Sequence, residues 1–283
     1  MLTPLLAPAD IAAARALIEA CGLRFEAGFD ELVGIHDGGE LAAVGARAGC
    51  VLKMLAVAPA HRGGPLLGEI VSALVAGGLE ADCETLFIFT KPPLAASFAA
   101  LNFTLLASQG PAAWLEFGHG LRHWLAARQP LARPGANGAV VMGGDPLARG
   151  FRPLVEAAAR QVDQLYVFVP RGGGAPTPFA ERLGLARLVT DGLANALVLD
   201  AGPYRTTAAR FPTYFLPADA PVARIRAELD AALFAAHIAP AFGIVHYFLA
   251  EEAPGNERAA VDRILAGHGI TVTPPIPTPG ENP

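Results

Sequence analysis

A glycine turn between an apolar run and a helical segment is the stretch of this chain best suited to chemistry. Residues 139–142 are continuously apolar, which predicts a buried strand, and apolar residues at helical spacing from Pro153 predict a helix. Backbone N–H groups at such a turn, together with the N-terminus of the following helix, can hold phosphate. A turn of this kind also occurs without any ligand. The candidate phosphate-binding residues are Gly143, Gly144, Asp145, Pro146 and Gly150.

Two arginines flank Gly150 and are the candidate catalytic residues of this turn. Guanidinium groups beside a helix start would add positive charge for an anion, so Arg149 and Arg152 could hold a phosphate group. The alternative is that both are solvent-exposed side chains without a ligand. A second polar pair, His119 and His123, lies four residues apart, but neither a third ligand nor a glutamate base accompanies it. We therefore predict no metal site.

Length and composition predict a two-domain globular protein. The 283 residues are 53% hydrophobic and 17% charged, and each half is long enough to bury a core. A stretch rich in proline and glycine at 126–138 predicts a linker, with the boundary near Arg133. The net charge of −5 and the scattered arginines argue against a nucleic-acid partner. No apolar run has the roughly 18 to 20 residues of a membrane span, so we expect a cytoplasmic protein without a membrane partner.

The cysteines predict free thiols. Cys21, Cys50 and Cys83 are odd in number, widely spaced and without a C-x-x-C motif, which favours buried, reduced side chains over disulfides or zinc ligands.

The first half of the chain has the element order of an acyltransferase fold. The pattern predicts a helix at 8–21, two strands around a Gly38-Gly39 turn, a strand at 51–57, a helix at 66–80 and a strand at 85–91. This order resembles that of the GNAT acyltransferases, whose loop after the central strand binds the pyrophosphate of acyl-CoA. The resemblance places an acyl or CoA-like site at Arg62, Gly63 and Gly64, although Pro65 and Leu67 occupy positions where the family has small residues.

The second half resembles the nucleotidyltransferase domain of the citrate lyase ligases. The string at 140–169 and, most specifically, the aromatic run FPTYFL at 211–216 follow that family's pattern, and VLKMLAV and LFIFTKP resemble its GNAT-like amino-terminal domain. The resemblance implies an α/β protein with a GNAT-like domain at 1–132 and a Rossmann-like nucleotidyltransferase domain with a parallel sheet at 138–272. The proline-rich composition of 273–283 predicts a disordered tail, at the point where the chain departs from the family's pattern.

The resemblance also implies an activity. The family forms acetyl-AMP from acetate and Mg-ATP and passes the acetyl group to a phosphopantetheine-like thiol on the acyl-carrier subunit of citrate lyase. By this resemblance Phe151 and Arg182 join the nucleotide-binding residues. The family's hydrogen-bonding Thr and His in the turn are replaced by Ala148 and Phe151, neither of which can donate from its side chain.

Three hypotheses remain open at this point. The first is an ATP-dependent ligase of the citrate lyase ligase type. The second is a pseudoenzyme that keeps both folds and binds an acyl-carrier or lyase partner without adenylating anything. The third is a GNAT acyltransferase with an unusual donor.

Overall fold

The chain folds into two compact units. A computed structural model describes residues 2–142, 151–171, 177–202, 204, 211–249 and 255–274. The first unit comprises Met1–Gly120 and Arg210–Val222, and the second comprises Leu121–Ala209 and Ala223–Pro283. This division differs from the predicted boundary near Arg133 in two places. Residues 121–132 group with the second unit, and 210–222 group with the first, where Thr213 donates to Glu26 and the Tyr214 hydroxyl donates to the Phe89 carbonyl.

A mixed sheet forms the first unit, with the strand order β1-β2-β3-β4-β5-β7-β6. Only the β4–β5 pair is parallel, and the other neighbours are antiparallel. The elements are β1 (Leu2–Pro4), α1 (Pro8–Ala20), β2 (Glu31–Asp37), β3 (Glu40–Ala48), β4 (Val51–Val57), α2 (Leu66–Glu80), β5 (Leu86–Thr90), α3 (Ala95–Ala99), β6 (Thr104–Gln109) and β7 (Ala112–Phe117).

Helix α2 covers one face of this sheet. Its buried residues recur at helical spacing, and Ile70 and Leu74 pack with Leu52, Ile88 and Leu115 from the central strands. A glycine in β3 permits this close approach, because a Cβ at Gly45 would lie 2.6 Å from Ile70 Cγ2 and Leu55 Cδ2. The sheet and α2 therefore form a single apolar core.

Two cysteines of the first unit form a disulfide. Cys50, in the turn before β4, is joined to Cys83, which follows α2, whereas Cys21 is a free thiol. The prediction of three reduced cysteines is wrong for this pair. The reason is that the β4–β5 pairing and the end of α2 bring two residues 33 positions apart to a Cα separation of 5.6 Å, which spacing along the sequence does not reveal.

The second unit contains a parallel sheet with the order β10-β9-β8-β11-β12. Strands β8 and β9 are buried throughout, as expected of parallel strands covered on both faces. The elements are α4 (Gly120–Arg128), β8 (Asn137–Val141), α5 (Phe151–Ala159), β9 (Leu165–Val169), α6 (Phe179–Thr190), β10 (Ala196–Asp200), α7 (Val222–Leu233), a π-helical turn (Phe234–Ile238), α8 (Ala239–Phe242), β11 (Ile244–Phe248), α9 (Gly255–Gly267) and β12 (Thr271–Thr273).

The predicted fold class is confirmed. The first unit has the GNAT-like element order, with β4 and α2 at the predicted 51–57 and 66–80, and the second has the parallel sheet of a Rossmann-like domain. Sequence patterns missed the short β1 and the strand β6. The glycine turn at 143–150 and the tail from residue 275 onward lie outside the described residues. Among the described helices, none has the length and apolarity needed to cross a bilayer.

Candidate functional site

Open α/β sheets bind ligands in a crevice where the strand order reverses, and in the second unit this reversal lies at the carboxyl ends of β8 and β11. The chain runs from β8 outward through β9 to β10 and then returns to β11 on the other side of β8. At such a reversal the loops after the two neighbouring strands separate and leave room for a ligand. Residues 143–150, which follow β8, lie outside the described part of the chain, and α5 begins directly after them at Phe151.

Phe151 and Arg152, which open α5, have opposite surroundings. Phe151 is only 7% exposed and packs in the core with Val140 of β8 and Leu154. Arg152 is exposed and forms an ion pair with Glu156, with 2.8 Å between Nε and Oε1. An exposed pair of this kind adds little stability, so the guanidinium can exchange its carboxylate partner for an anion at low cost. Of the two, only Arg152 presents a charge at the helix start.

Arg182 is buried and directed at the backbone. Its side chain donates to the carbonyl oxygens of Pro170 at 2.9 Å and Thr177 at 3.1 Å, which lie before and after the loop that follows β9. These bonds fix both ends of that loop. Any contact of Arg182 with a nucleotide, which the resemblance implies, would come in addition to this positioning role.

Asp200 forms an ionic cluster that sequence reasoning missed. It ends β10, and its carboxylate accepts bonds from Trp124 Nε1 at 3.1 Å, Arg128 Nη2 at 3.0 Å, Arg171 Nη2 at 3.3 Å and the Gly202 N–H at 2.8 Å. Burial alone would raise the pKa of Asp200, but hydrogen bonds from Trp124 and Arg171 and the charge of Arg128 outweigh it and lower the pKa. Two arginines against one carboxylate leave positive charge in excess at the carboxyl edge of the sheet. The available sequence signal was an aspartate at a strand end.

We expect Asp200→Asn to lower the free energy of unfolding by about 1.5–3 kcal/mol at pH 7, since charge-assisted bonds to a half-buried carboxylate are lost. Because the folded-state pKa is lowered, this contribution is fully present above the ordinary aspartate pKa of about 3.9 and is lost as the pH falls through the lower folded-state pKa. Urea unfolding in a series from pH 7 to about pH 2 measures both effects, with the exposed Asp191→Asn as the matched control. A difference from wild type that does not shrink toward the acid end of this series would contradict the assignment.

The predicted acyl site of the first unit lies beside a cleft of about 460 Å³. Arg62 and Gly64 line the cleft together with Glu69 from the first turn of α2, and Gly63 adopts a φ of +81°. The guanidinium of Arg62 is already engaged, because it donates to the Val57 carbonyl at 3.3 Å and approaches Cys21 Sγ at 3.6 Å. Glu69 adds a carboxylate to the same cleft, which opposes binding of an anion there.

The histidines singled out by their spacing lie around the start of α4. His119 precedes the helix with a left-handed φ of +56°, and His123 is exposed on it. Within the described ranges, no group of three His, Cys, Asp or Glu side chains has the proximity needed to hold a metal.

Comparisons with known proteins show which proteins this chain is similar to. The citrate lyase ligase C-terminal domain family matches residues 137–267, which run from β8 to the end of α9. The citrate (pro-3S)-lyase ligase of Klebsiella pneumoniae is 33% identical over 75% of this chain and 63% of its own length, and that of Escherichia coli K12 is 29% identical over 75% and 61%. The chain thus spans about three fifths of the length of these relatives.

One solved structure is similar in fold to part of this chain. An acyl-CoA N-acyltransferase from Pseudomonas aeruginosa aligns with 41% of this chain and 97% of its own, at 12% identity and a TM-score of 0.35. Residues 137–267 match the citrate lyase ligase C-terminal domain family, and the chain as a whole is similar to the citrate lyase ligases.

Proposed function

We propose that this chain is an ATP-dependent ligase of the citrate lyase ligase type. Its substrates would be acetate, Mg-ATP and the phosphopantetheine-like thiol of an acyl-carrier subunit of citrate lyase. The observation that carries the proposal is that the family match at 137–267 coincides with the parallel sheet whose strand order reverses between β8 and β11. In open α/β sheets this reversal is where nucleotides bind.

The chemistry requires two displacements. An acetate oxygen attacks the α-phosphorus of ATP, and the bond to pyrophosphate breaks, which gives acetyl-AMP. The thiolate of the carrier then attacks the acetyl carbon, the thioester forms and AMP leaves with the electron pair of the broken carbon–oxygen bond. Developing charge on the leaving pyrophosphate would be stabilised by the backbone N–H groups of 143–150, the start of α5 and the side chains of Arg149 and Arg152.

Magnesium would enter this site on the nucleotide. Among the described residues there is no ready set of protein ligands for a metal, and Mg²⁺ is commonly held by substrate phosphates with one or two carboxylates. When bound, the ion would neutralise part of the triphosphate charge. Asp145, which follows β8 in the sequence and lies outside the described residues, would be the carboxylate that supplies a ligand.

A second candidate function is supported by Phe151. The family's histidine position holds this phenylalanine, whose ring is buried in the core of the second unit, so no side-chain donor reaches the crevice from there. This supports a pseudoenzyme that binds an acyl-carrier or lyase subunit and does not adenylate acetate.

The experiment that separates the two is acetate-dependent exchange of labelled pyrophosphate into ATP. For an active ligase, we expect Arg149→Ala/Arg152→Ala to lower the exchange rate about a hundredfold or more, the usual size of a lost oxyanion-type contact. The control is Arg160→Ala, an exposed arginine directly after the other end of α5. If the wild type exchanges pyrophosphate and the double variant does so at the same rate, the proposed role of the two arginines is refuted.

A restored motif tests the pseudoenzyme. Ala148→Thr/Phe151→His returns the family's donors to the turn, and its melting temperature must be recorded because Phe151 is a core residue. Exchange that is absent in wild type and appears in this variant would support the pseudoenzyme. Binding of Mg-ATP to the wild type with a micromolar dissociation constant would count against it.

A further inference from the structure

The carboxylate of Asp200, at the end of β10, has a full set of partners without Arg171. Its Oδ1 accepts bonds from Trp124 Nε1 and the Gly202 N–H, and its Oδ2 accepts one from Arg128 Nη2 at 3.0 Å. Arg128 is fixed in this position, because its Cζ lies 4.7 Å from the centroid of the Trp124 ring and its Nη1 donates to the Trp124 carbonyl at 3.3 Å. One guanidinium therefore balances the charge of Asp200, and a second one is surplus.

Arg171 is this surplus cation. Its Nη2 shares Asp200 Oδ2 with Arg128, at a longer distance of 3.3 Å. Its side chain is 57% exposed, against 22% for that of Arg128. An ion pair that is this exposed to solvent is weak. An anionic ligand can therefore draw the Arg171 guanidinium away from Asp200 at little cost.

A fixed backbone presents this cation at the carboxyl edge of the parallel sheet. Arg171 follows the end of β9 by two residues. The buried Arg182 donates to the Pro170 carbonyl at 2.9 Å and to the Arg171 carbonyl at 3.5 Å. The Arg171 guanidinium also lies over the Phe179 ring, with 5.5 Å between Cζ and the ring centroid. The position of the Arg171 backbone is thus set by contacts that do not involve Asp200.

The strand order places Arg171 between Asp200 and the crevice. Strand β9 lies between β10, which ends in Asp200, and β8, which borders the reversal of strand order. Neighbouring strands are about 4.8 Å apart, and an extended arginine side chain is longer than this spacing. The guanidinium can therefore contact Asp200 over β10 or, after a change of rotamer, a ligand over the end of β8.

We infer that Arg171 binds the carboxylate of the acid substrate, acetate. The inference rests on the proposed function for the identity of this anion. In an in-line displacement at phosphorus, the attacking and leaving oxygens lie on opposite sides of the phosphorus atom. With pyrophosphate at the reversal between β8 and β11, the attacking carboxylate lies on the side of β9. A guanidinium fork matches a carboxylate with two parallel hydrogen bonds, which would orient the attacking oxygen.

The test measures acetate binding to the full chain in the presence of Mg²⁺ and α,β-methylene-ATP, which cannot release pyrophosphate. The probe is ¹³C-labelled acetate, followed by NMR line broadening at an ionic strength held constant with chloride. We expect Arg171→Ala to raise the acetate dissociation constant about tenfold or more, the usual effect of a lost charge-assisted hydrogen bond. Acetate that binds equally well to wild type and Arg171→Ala, or to neither, would overturn the inference.

The matched control is Arg187→Ala. Arg187 is also an exposed arginine of the second unit, but it lies in the last turn of α6, away from the residues that directly follow β9. Its removal changes the net charge by the same amount, and acetate should bind as in wild type. An equal loss of acetate binding in both variants would show a general charge effect and would overturn the inference.

Asp200→Asn separates substrate binding from a structural role of Arg171. The substitution removes the carboxylate that competes for the guanidinium, so acetate should bind about two- to fivefold more tightly than in wild type. If Arg171 served only to stabilise Asp200, this variant would not bind acetate better. Unchanged or weaker acetate binding in Asp200→Asn would therefore contradict the inference.

Pyrophosphate exchange distinguishes a failure of this inference from a failure of the proposed function. Exchange in wild type, with the same KM for acetate in Arg171→Ala, would overturn the inference and leave the ligase proposal standing. No exchange in wild type, together with acetate binding that depends on Arg171, would overturn the ligase proposal and support the carboxylate site. Full displacement of acetate by an equal concentration of inorganic phosphate would show that Arg171 binds a phosphate group and would overturn the assignment to acetate.

Discussion

Replacing Glu26 with alanine is expected to lower the free energy of unfolding by about 3–5 kcal/mol, the cost of breaking a buried ion pair from one side. Lys53 is 6% exposed and lies 3.7 Å from Glu26 Oε2, so the substitution leaves a buried ammonium group whose remaining hydrogen bonds among the described residues go to the carbonyls of Ala27 and Gly28. Thr213 loses the acceptor of two hydrogen bonds at the same time.

Denaturant unfolding compares this variant with Glu19→Ala. Glu19 also pairs with a cation, Arg15, but both side chains are more than half exposed, so its loss should cost a few tenths of a kcal/mol. The double variant Glu26→Gln/Lys53→Met should recover part of the stability, because an apolar replacement removes the buried unpaired charge. Equal losses of unfolding free energy in Glu26→Ala and Glu19→Ala would show that the ion pair with Lys53 and the two hydrogen bonds from Thr213 do not stabilise the protein.

Removing the disulfide should have a similarly large effect. Cys50 and Cys83 are 33 residues apart, and closing a loop of this length in the unfolded chain is worth about 3–4 kcal/mol. Cys50→Ala/Cys83→Ala is therefore expected to lower the free energy of unfolding by that amount, and a reductant should destabilise the wild type but not the double variant.

The matched control for this prediction is Cys21→Ala, which removes the free thiol. It should leave the sensitivity to reductant unchanged. Counting thiols in denatured, unreduced protein provides the direct check, and one reactive thiol is expected. Three reactive thiols would show that the pair is reduced in solution.

Elements with a regular apolar period could be predicted well from the sequence. Helix α2 and strand β4 have the predicted bounds because their buried residues repeat at the period of each structure. The location of the run at 211–216 could not be predicted in this way. Its partners Glu26 and Phe89 are 187 and 125 residues away from Thr213 and Tyr214, and no local pattern encodes such contacts.

Polar residues of the candidate site were harder to interpret than the strands that carry them. Arg182 lies in a family motif, which suggested a nucleotide contact, but its bonds to Pro170 and Thr177 depend on the path of a loop. Asp200 was passed over because an aspartate at a strand end resembles an ordinary boundary. Its importance comes from Arg128 and Arg171, which approach it from two other elements. Charge partners are set by tertiary structure, and the sequence shows only the charges.

The inclusion of 210–222 in the first unit affects the order in which the protein folds during synthesis. Residues 121–209, which belong to the second unit, must be translated before the segment 211–222 leaves the ribosome. At bacterial and eukaryotic elongation rates this delay is on the order of 5 to 20 s. During that interval the Phe89 carbonyl lacks the Tyr214 hydroxyl that donates to it, and the surface that the segment later covers is exposed to chaperones and to aggregation.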